Sequence, residues 1–160
     1  MMIEIVPAYD HPQEVCELFT EYTDMLVAGA PAFAKYLEKQ HFAQEVKDLG
    51  MKYGRPEGRL YLAYCDGQVA GCIGLKKLDA ESCEIKRLYV RPAFRGAGLA
   101  RKLVNLILED ARQIGYQTVL LDTLPFLKEA IHLYETLGFT YISSYNNSPM
   151  EGLIYMKLDL

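Results

Sequence analysis

Hydrophobic positions along the chain follow two periods, and the places where the period changes mark the elements. Ile3-Glu4-Ile5-Val6 alternates weakly and predicts a first strand. Pro12 stands where a helix can begin, with Asp10 near the cap position. Val15, Leu18, Phe19, Tyr22, Met25 and Leu26 follow at helical spacing, and Gly29 ends that helix. Pro31 to about Asp48 reads as a second helix, with Phe33, Tyr36, Leu37, Phe42, Val46 and Leu49 on its apolar stripe. Gly50–Gly58 holds three Gly and one Pro and reads as a loop.

Strand-like runs come next at Leu60–Cys65, Val69–Lys76 and Glu84–Val90. Asp66-Gly67 predicts a hairpin between the first two, and Leu78–Ser82 a further turn. A helix over about Ala97 to Gly115 carries Leu99, Leu103, Leu106, Ile107, Ala111 and Ile114 on one face. Thr118–Leu121 is a short apolar strand, and Lys128–Leu137 a helix ended by Gly138. Phe139–Ser143 and Leu153–Leu158 are the last strands, joined by a polar loop containing Asn-Asn-Ser-Pro. Three consecutive strands need hairpins and the later ones alternate with helices. That order predicts one mixed sheet, antiparallel in its N-terminal half and crossover-linked after it.

Composition narrows the class. At 160 residues the chain is read as one domain over 1–160, large enough for a core without staples. The start of the chain has neither a basic n-region nor an apolar run, so no signal peptide is read there. A cytoplasmic protein without a membrane segment is expected. A net charge of −4 disfavours general nucleic-acid binding. Cys16, Cys65, Cys72 and Cys83 form no Cys-x-x-Cys pair, and the three histidines are scattered, so no metal site is expected. The cysteines read as reduced thiols, mostly buried.

Charge changes the picture at one place. Arg91, Arg95, Arg101 and Lys102 gather around the start of the helix that follows the third hairpin strand, while Glu109 and Asp110 lie toward its far end. Both placements oppose the helix dipole, and an anion at the N-terminus would resolve the conflict. Gly96 and Gly98 let backbone approach such a ligand closely. The stretch lacks the P-loop pattern, and Arg101 stands where a dinucleotide fingerprint needs a third Gly.

Arg95-x-x-Gly98-x-Ala100 resembles the Arg/Gln-x-x-Gly-x-Gly/Ala signature of the GNAT N-acyltransferase superfamily. Ile85–Pro92 looks like that family's strand into the loop, and Ala130–Phe139 resembles its Ala-x-x-Leu-Tyr-x-x-x-Gly-Phe segment. The resemblance implies an α/β (α+β) GNAT fold, with a mostly antiparallel sheet of about seven strands flanked by about four helices. It implies acetyl-CoA, or another acyl-CoA, as cofactor, and direct transfer of the acyl group to a primary amine of a small molecule, amino acid or peptide. A homodimer is implied in the same way. The cofactor would be held by Leu88, Tyr89, Val90, Arg95, Gly96, Ala97, Gly98, Leu99, Ala100 and Arg101. Tyr134 would protonate the leaving thiolate. The family often has Asn where this chain has Leu127, which leaves room for a second reading, a non-catalytic acyl-CoA-binding module. Glu84 is the candidate base, on a strand face expected to carry Lys86, Leu88 and Val90, with Arg87 and Tyr89 opposite. Arg87 is read as structural or as a contact for a substrate carboxylate. Tyr22, Phe33 and Tyr145 are candidates for the acceptor pocket, and His132 for a helix surface.

Overall fold

The computed structural model describes residues 1–39, 42–146, 148 and 150–160. The strands are β1 (Ile3–Pro7), β2 (Arg59–Cys65), β3 (Gln68–Lys77), β4 (Ser82–Val90), β5 (Thr118–Thr123), β6 (Thr140–Ile142) and β7 (Ile154–Asp159). The helices are α1 (Pro12–Gly29), α2 (Phe33–Lys39), α3 (Phe42–Lys47), α4 (Leu49–Tyr53), α5 (Leu99–Ile114) and α6 (Lys128–Thr136). A short 3-10 turn spans Pro92–Phe94. One sheet holds all seven strands in the order β1-β2-β3-β4-β5-β7-β6. β1 to β4 pair antiparallel, β4 and β5 are parallel through the α5 crossover, and β7 inserts antiparallel beside β5. This is the mixed sheet the sequence predicts. The hairpin turn forms at Asp66 and Gly67, which take φ of 50° and 80° as a primed turn requires.

Two expectations are corrected. The helix expected over Pro31 to about Asp48 is divided into α2 and α3, and α4 falls partly inside the expected Gly50–Gly58 loop. Six α-helices therefore flank the sheet among the described residues, against about four expected. Asp48 is responsible for α4: its carboxylate caps the helix by accepting from the Met51 amide at 3.3 Å. Asp10 does not cap α1; His11 occupies that position without a side-chain bond. The side chains of Leu37 and Phe42 lie outside the description, as do His41, Asn147 and Pro149 of the sequence reading.

The sheet buries apolar side chains on both faces. On one, α5 lays Leu99, Leu103, Val104, Ile107 and Ala111 against Ile73, Leu75, Ile85 and Val119. On the other, Val15, Leu18 and Phe19 of α1 pack with Tyr53, Leu60, Leu62, Cys72 and Tyr89. Cys65, Cys72 and Cys83 are buried, and Cys16 is exposed. Burial pushes the Cys72 and Cys83 thiols up to about 12, so both stay protonated and unreactive. No described helix is long and apolar enough to cross a membrane.

Candidate active site

The site begins where two parallel strands stop pairing. β4 and β5 are in register only at Ser82–Thr118, Cys83–Val119 and Glu84–Leu120. Beyond that rung β4 keeps its bonds to β3 and β5 keeps its bonds to β7, so the facing edges from Ile85 and Leu121 onward are open. A cavity of about 730 Å³ occupies the gap. That volume lies in the range of small-molecule sites.

A bulge in β4 decides what faces the gap. Cys72 pairs with Tyr89 while Gly74 pairs with Lys86, so β4 carries one extra residue there. Arg87 takes φ of 58° to absorb it. The insertion flips every later side chain to the other face. Leu88 and Val90 therefore pack in the α5 core, and Tyr89 joins the α1 core. The expected face of Glu84, Lys86, Leu88 and Val90 is corrected accordingly: Arg87 and Tyr89 share the face of Glu84.

Arg87 is 5% exposed and forks onto Glu45 of α3, with Nε to Oε2 at 2.7 Å and an Nη to Oε1 at 2.9 Å. Its guanidinium also sits 5.9 Å from the Phe19 ring. This geometry serves the structural role, and Arg87 also lines the cavity. Lys52 of α4 adds a second cation to Glu45. Burial alone would raise the Glu45 carboxyl, but the bonds and charge of Arg87, with Lys52, hold it at about 2. Burial lowers Lys52 to about 8, against the pull of Glu45.

At one end of the cavity lies the loop before α5. Gly96 and Gly98 take φ of 88° and 77°, a region that favours glycine. A Cβ at either would meet nothing within 4 Å, so both face open space. Gly98 is the cap of α5, no side chain caps it, and no acid lies in the first turn. Free amides and the positive end of the dipole thus open onto the cavity, which suits a phosphate or pyrophosphate. Leu88, Tyr89, Val90, Arg95, Gly96, Gly98, Leu99, Ala100 and Arg101 line it; Ala97 does not.

The four cations differ in what they already hold. Arg91 is engaged by Glu21 of α1 at 2.7 Å, with Glu17 at 3.6 Å. Arg95 donates through Nε to the Val90 carbonyl at 2.9 Å and lies 5.9 Å from the Tyr89 ring. Arg101 bonds Thr136 of α6 at 3.0 Å, and Lys102 is exposed. The acids that oppose the dipole at the far end of α5 also have partners. Asp110 accepts from the Tyr61 hydroxyl, and Glu109 lies 3.9 Å from Arg112. Partners on distant elements thus explain Arg91 and Asp110, and the anion argument rests on Arg95, Arg101, Lys102 and the uncapped helix.

Tyr134 of α6 is 5% exposed, lines the cavity and packs its ring 5.5 Å from Phe139. Its hydroxyl makes no hydrogen bond among the described residues. Burial, with minor help from Tyr22 and Asp122, pushes it far above an ordinary phenol, so it keeps its proton. Leu127 caps the N-terminus of α6 without a side-chain bond and also lines the cavity. His132 is exposed on α6.

Asp122, a polar residue on β5, has no catalytic role in the sequence reading. It lines the cavity. Asn146 donates to its Oδ2 at 3.0 Å, and the Tyr36 hydroxyl lies 3.5 Å from the same oxygen. Burial, reinforced by Glu84, raises its pKa, while Lys86 pulls it back. Glu84 is 3% exposed, accepts from the Tyr145 hydroxyl and has Lys86 3.5 Å away. It lines an adjoining cavity that shares Tyr36 and Lys86 with the first. Tyr22 and Phe33 line the first cavity, Tyr145 the second. Burial moves Tyr22 up to about 12.

A sequence model of the Acetyltransferase (GNAT) family matches residues 13–139, and the chain belongs to that family. It is 35% identical over 130 residues to an uncharacterised N-acetyltransferase of Schizosaccharomyces pombe, covering 80% of each chain. An acetyltransferase from Streptococcus agalactiae superposes with a TM-score of 0.77 at 22% identity, over 99% of this chain and 98% of that one. A GNAT family acetyltransferase from Elizabethkingia anophelis, crystallised with acetyl-CoA bound, gives 0.69 at 22% identity over 99% and 98%.

Proposed function

We propose that this protein is an N-acetyltransferase that moves an acetyl group from acetyl-CoA directly to a primary amine within a ternary complex. The observation that carries the reading is the open β4–β5 gap, with an uncapped glycine-rich helix start at one end and Tyr134 and Asp122 on its walls. Acetyl-CoA supplies an acyl group activated as a thioester. Amides from Gly96 to Ala100, with Arg95 and Arg101, hold the pyrophosphate. The free edge of Leu88–Val90 pairs with the extended pantetheine arm as an added strand would. A hydrogen bond from Asn to that arm is absent, because Leu127 occupies the position.

The amine must lose a proton to attack, since a Lys-type amine has a pKa of about 10.4. Asp122 and Glu84 are the carboxylates that take that proton. Asp122 lines the main cavity, its carboxyl already held up by burial, and Glu84 lines the adjoining one with Lys86 3.5 Å away. The Tyr134 hydroxyl gives its proton to the departing sulfur. No cysteine takes part, in keeping with the buried, protonated Cys72 and Cys83.

The test is release of free thiol from acetyl-CoA against a panel of primary amines. Release that saturates in both acetyl-CoA and one class of amine is expected. Tight binding of acetyl-CoA with no amine-dependent release would leave a binding module instead.

A further inference from the structure

The main cavity changes character along its length. Near α5 and α6 it is walled by backbone amides and arginines. Past Tyr134 it continues toward α1 and α2, where Tyr22, Leu26, Phe33, Tyr36, Leu124 and Leu153 enclose it. Leu26, Phe33, Tyr36 and Leu124 form a third apolar cluster, with Leu153 and Tyr22 packed against it, and Tyr22 also touches the core under α1. Phe33 and Tyr36 stack with centroids 5.2 Å apart, and Tyr22 lies 5.8 Å from Tyr89. The acid among the lining residues at this end is Asp122, toward which Tyr36 points.

We propose that this chamber holds the body of the acceptor, and that the acceptor is a primary amine carrying an apolar side group of aromatic size. The proposal rests on the transferase reading above and names the substrate class for it. An ammonium beside Asp122 pairs with its carboxylate, while a ring or branched alkyl group fills the space between Phe33, Leu124 and Leu153. A hydroxyl placed between Phe33, Leu124 and Leu153 would be stripped of water against side chains that offer it no hydrogen bond, which is costly. A long acyl chain is the competing occupant. It brings no charge, and seating it here would leave the half-buried Asp122 against hydrocarbon.

The test compares kcat/KM, with acetyl-CoA as donor, for 2-phenylethylamine against ethanolamine and for phenylalanine against serine. A single methylene in an apolar pocket discriminates by roughly 10–200-fold, so the apolar member of each pair is expected to lead by at least ~10-fold. Phe33→Ala, and independently the half-buried Leu153→Gln, should raise KM for 2-phenylethylamine and leave KM for acetyl-CoA unchanged. Equal or reversed preference within the pairs overturns the proposal. So does a flat amine profile with octanoyl-CoA used better than acetyl-CoA, which gives the chamber to the acyl chain. If acetyl-CoA fails to bind at all, the transferase reading falls first and this proposal with it.

Discussion

Tyr134→Phe removes one oxygen from the wall of the gap. The ring keeps its packing 5.5 Å from Phe139, and the lost hydroxyl has no hydrogen-bond partner among the described residues. Stability should therefore change little, because no donor or acceptor is orphaned. The kinetic effect is separate. General acids contribute typically 10²–10⁴-fold, but a thiolate of pKa near ~8.5 leaves fairly well unaided, so the effect here is set at about 10–100-fold in kcat. At about 1.36 kcal/mol per tenfold that is roughly 1.4–2.7 kcal/mol of barrier. Steady-state thiol release at saturating acetyl-CoA gives kcat, and thermal unfolding checks the fold. A fall in kcat with unchanged acetyl-CoA KM and unchanged Tm is predicted. A variant within twofold of the parent kcat refutes the proton-donor role.

Other outcomes follow from the same geometry. Asp122→Asn and Glu84→Gln should each lower kcat/KM and displace its pH profile; profiles that superimpose on the parent would remove the carboxylate pair as base. Gly98→Ala forces a Cβ onto φ of 77°, at a cost of about 1–2 kcal/mol, and places a methyl in the open cradle. Its acetyl-CoA affinity, read by calorimetry, should drop more than its Tm implies, and a parent-like Kd would contradict the cradle. Glu45→Gln leaves the buried Arg87 without its charged partner. Glu45 has a folded pKa of about 2 against an ordinary 4.5, so it stabilises the fold by about 3 kcal/mol above pH ~4.5. That contribution is lost as pH falls through about 2. Denaturant melts at pH 7 should show most of the loss in Glu45→Gln, with the gap from the parent closing in acid.

The strands, the long helices and the hairpin at Asp66-Gly67 were legible because each rests on local pattern. The bulge was not. A period-two reading carries Glu84 to Leu88 on one face, and the residue that interrupts it is an Arg at positive φ rather than the Gly that would have marked it. The loop around Gly96 and Gly98 was legible from its glycines. The state of its cations was not, because Arg91 is satisfied by Glu21, seventy residues away in the chain. Asp122 was missed for a related reason. Its significance comes from the end of β4–β5 pairing and from Asn146 on a distant loop, neither of which leaves a mark beside it. The charge anomaly on α5 pointed to the helix whose start opens onto the cavity, although Asp110 has a structural partner in Tyr61. A local rule broken in sequence can mark either function or a long-range pair.

Direct transfer is the central claim, and isotope-labelled acetyl-CoA tests it in one measurement. The protein is mixed with labelled donor and an amine that supports turnover, the reaction is quenched, and both small molecules and intact protein are weighed by mass spectrometry. The account predicts one labelled acetyl group on the amine nitrogen and none on the protein at any time. Label held covalently on the protein during turnover, or donor consumed with no labelled amide formed, would contradict it.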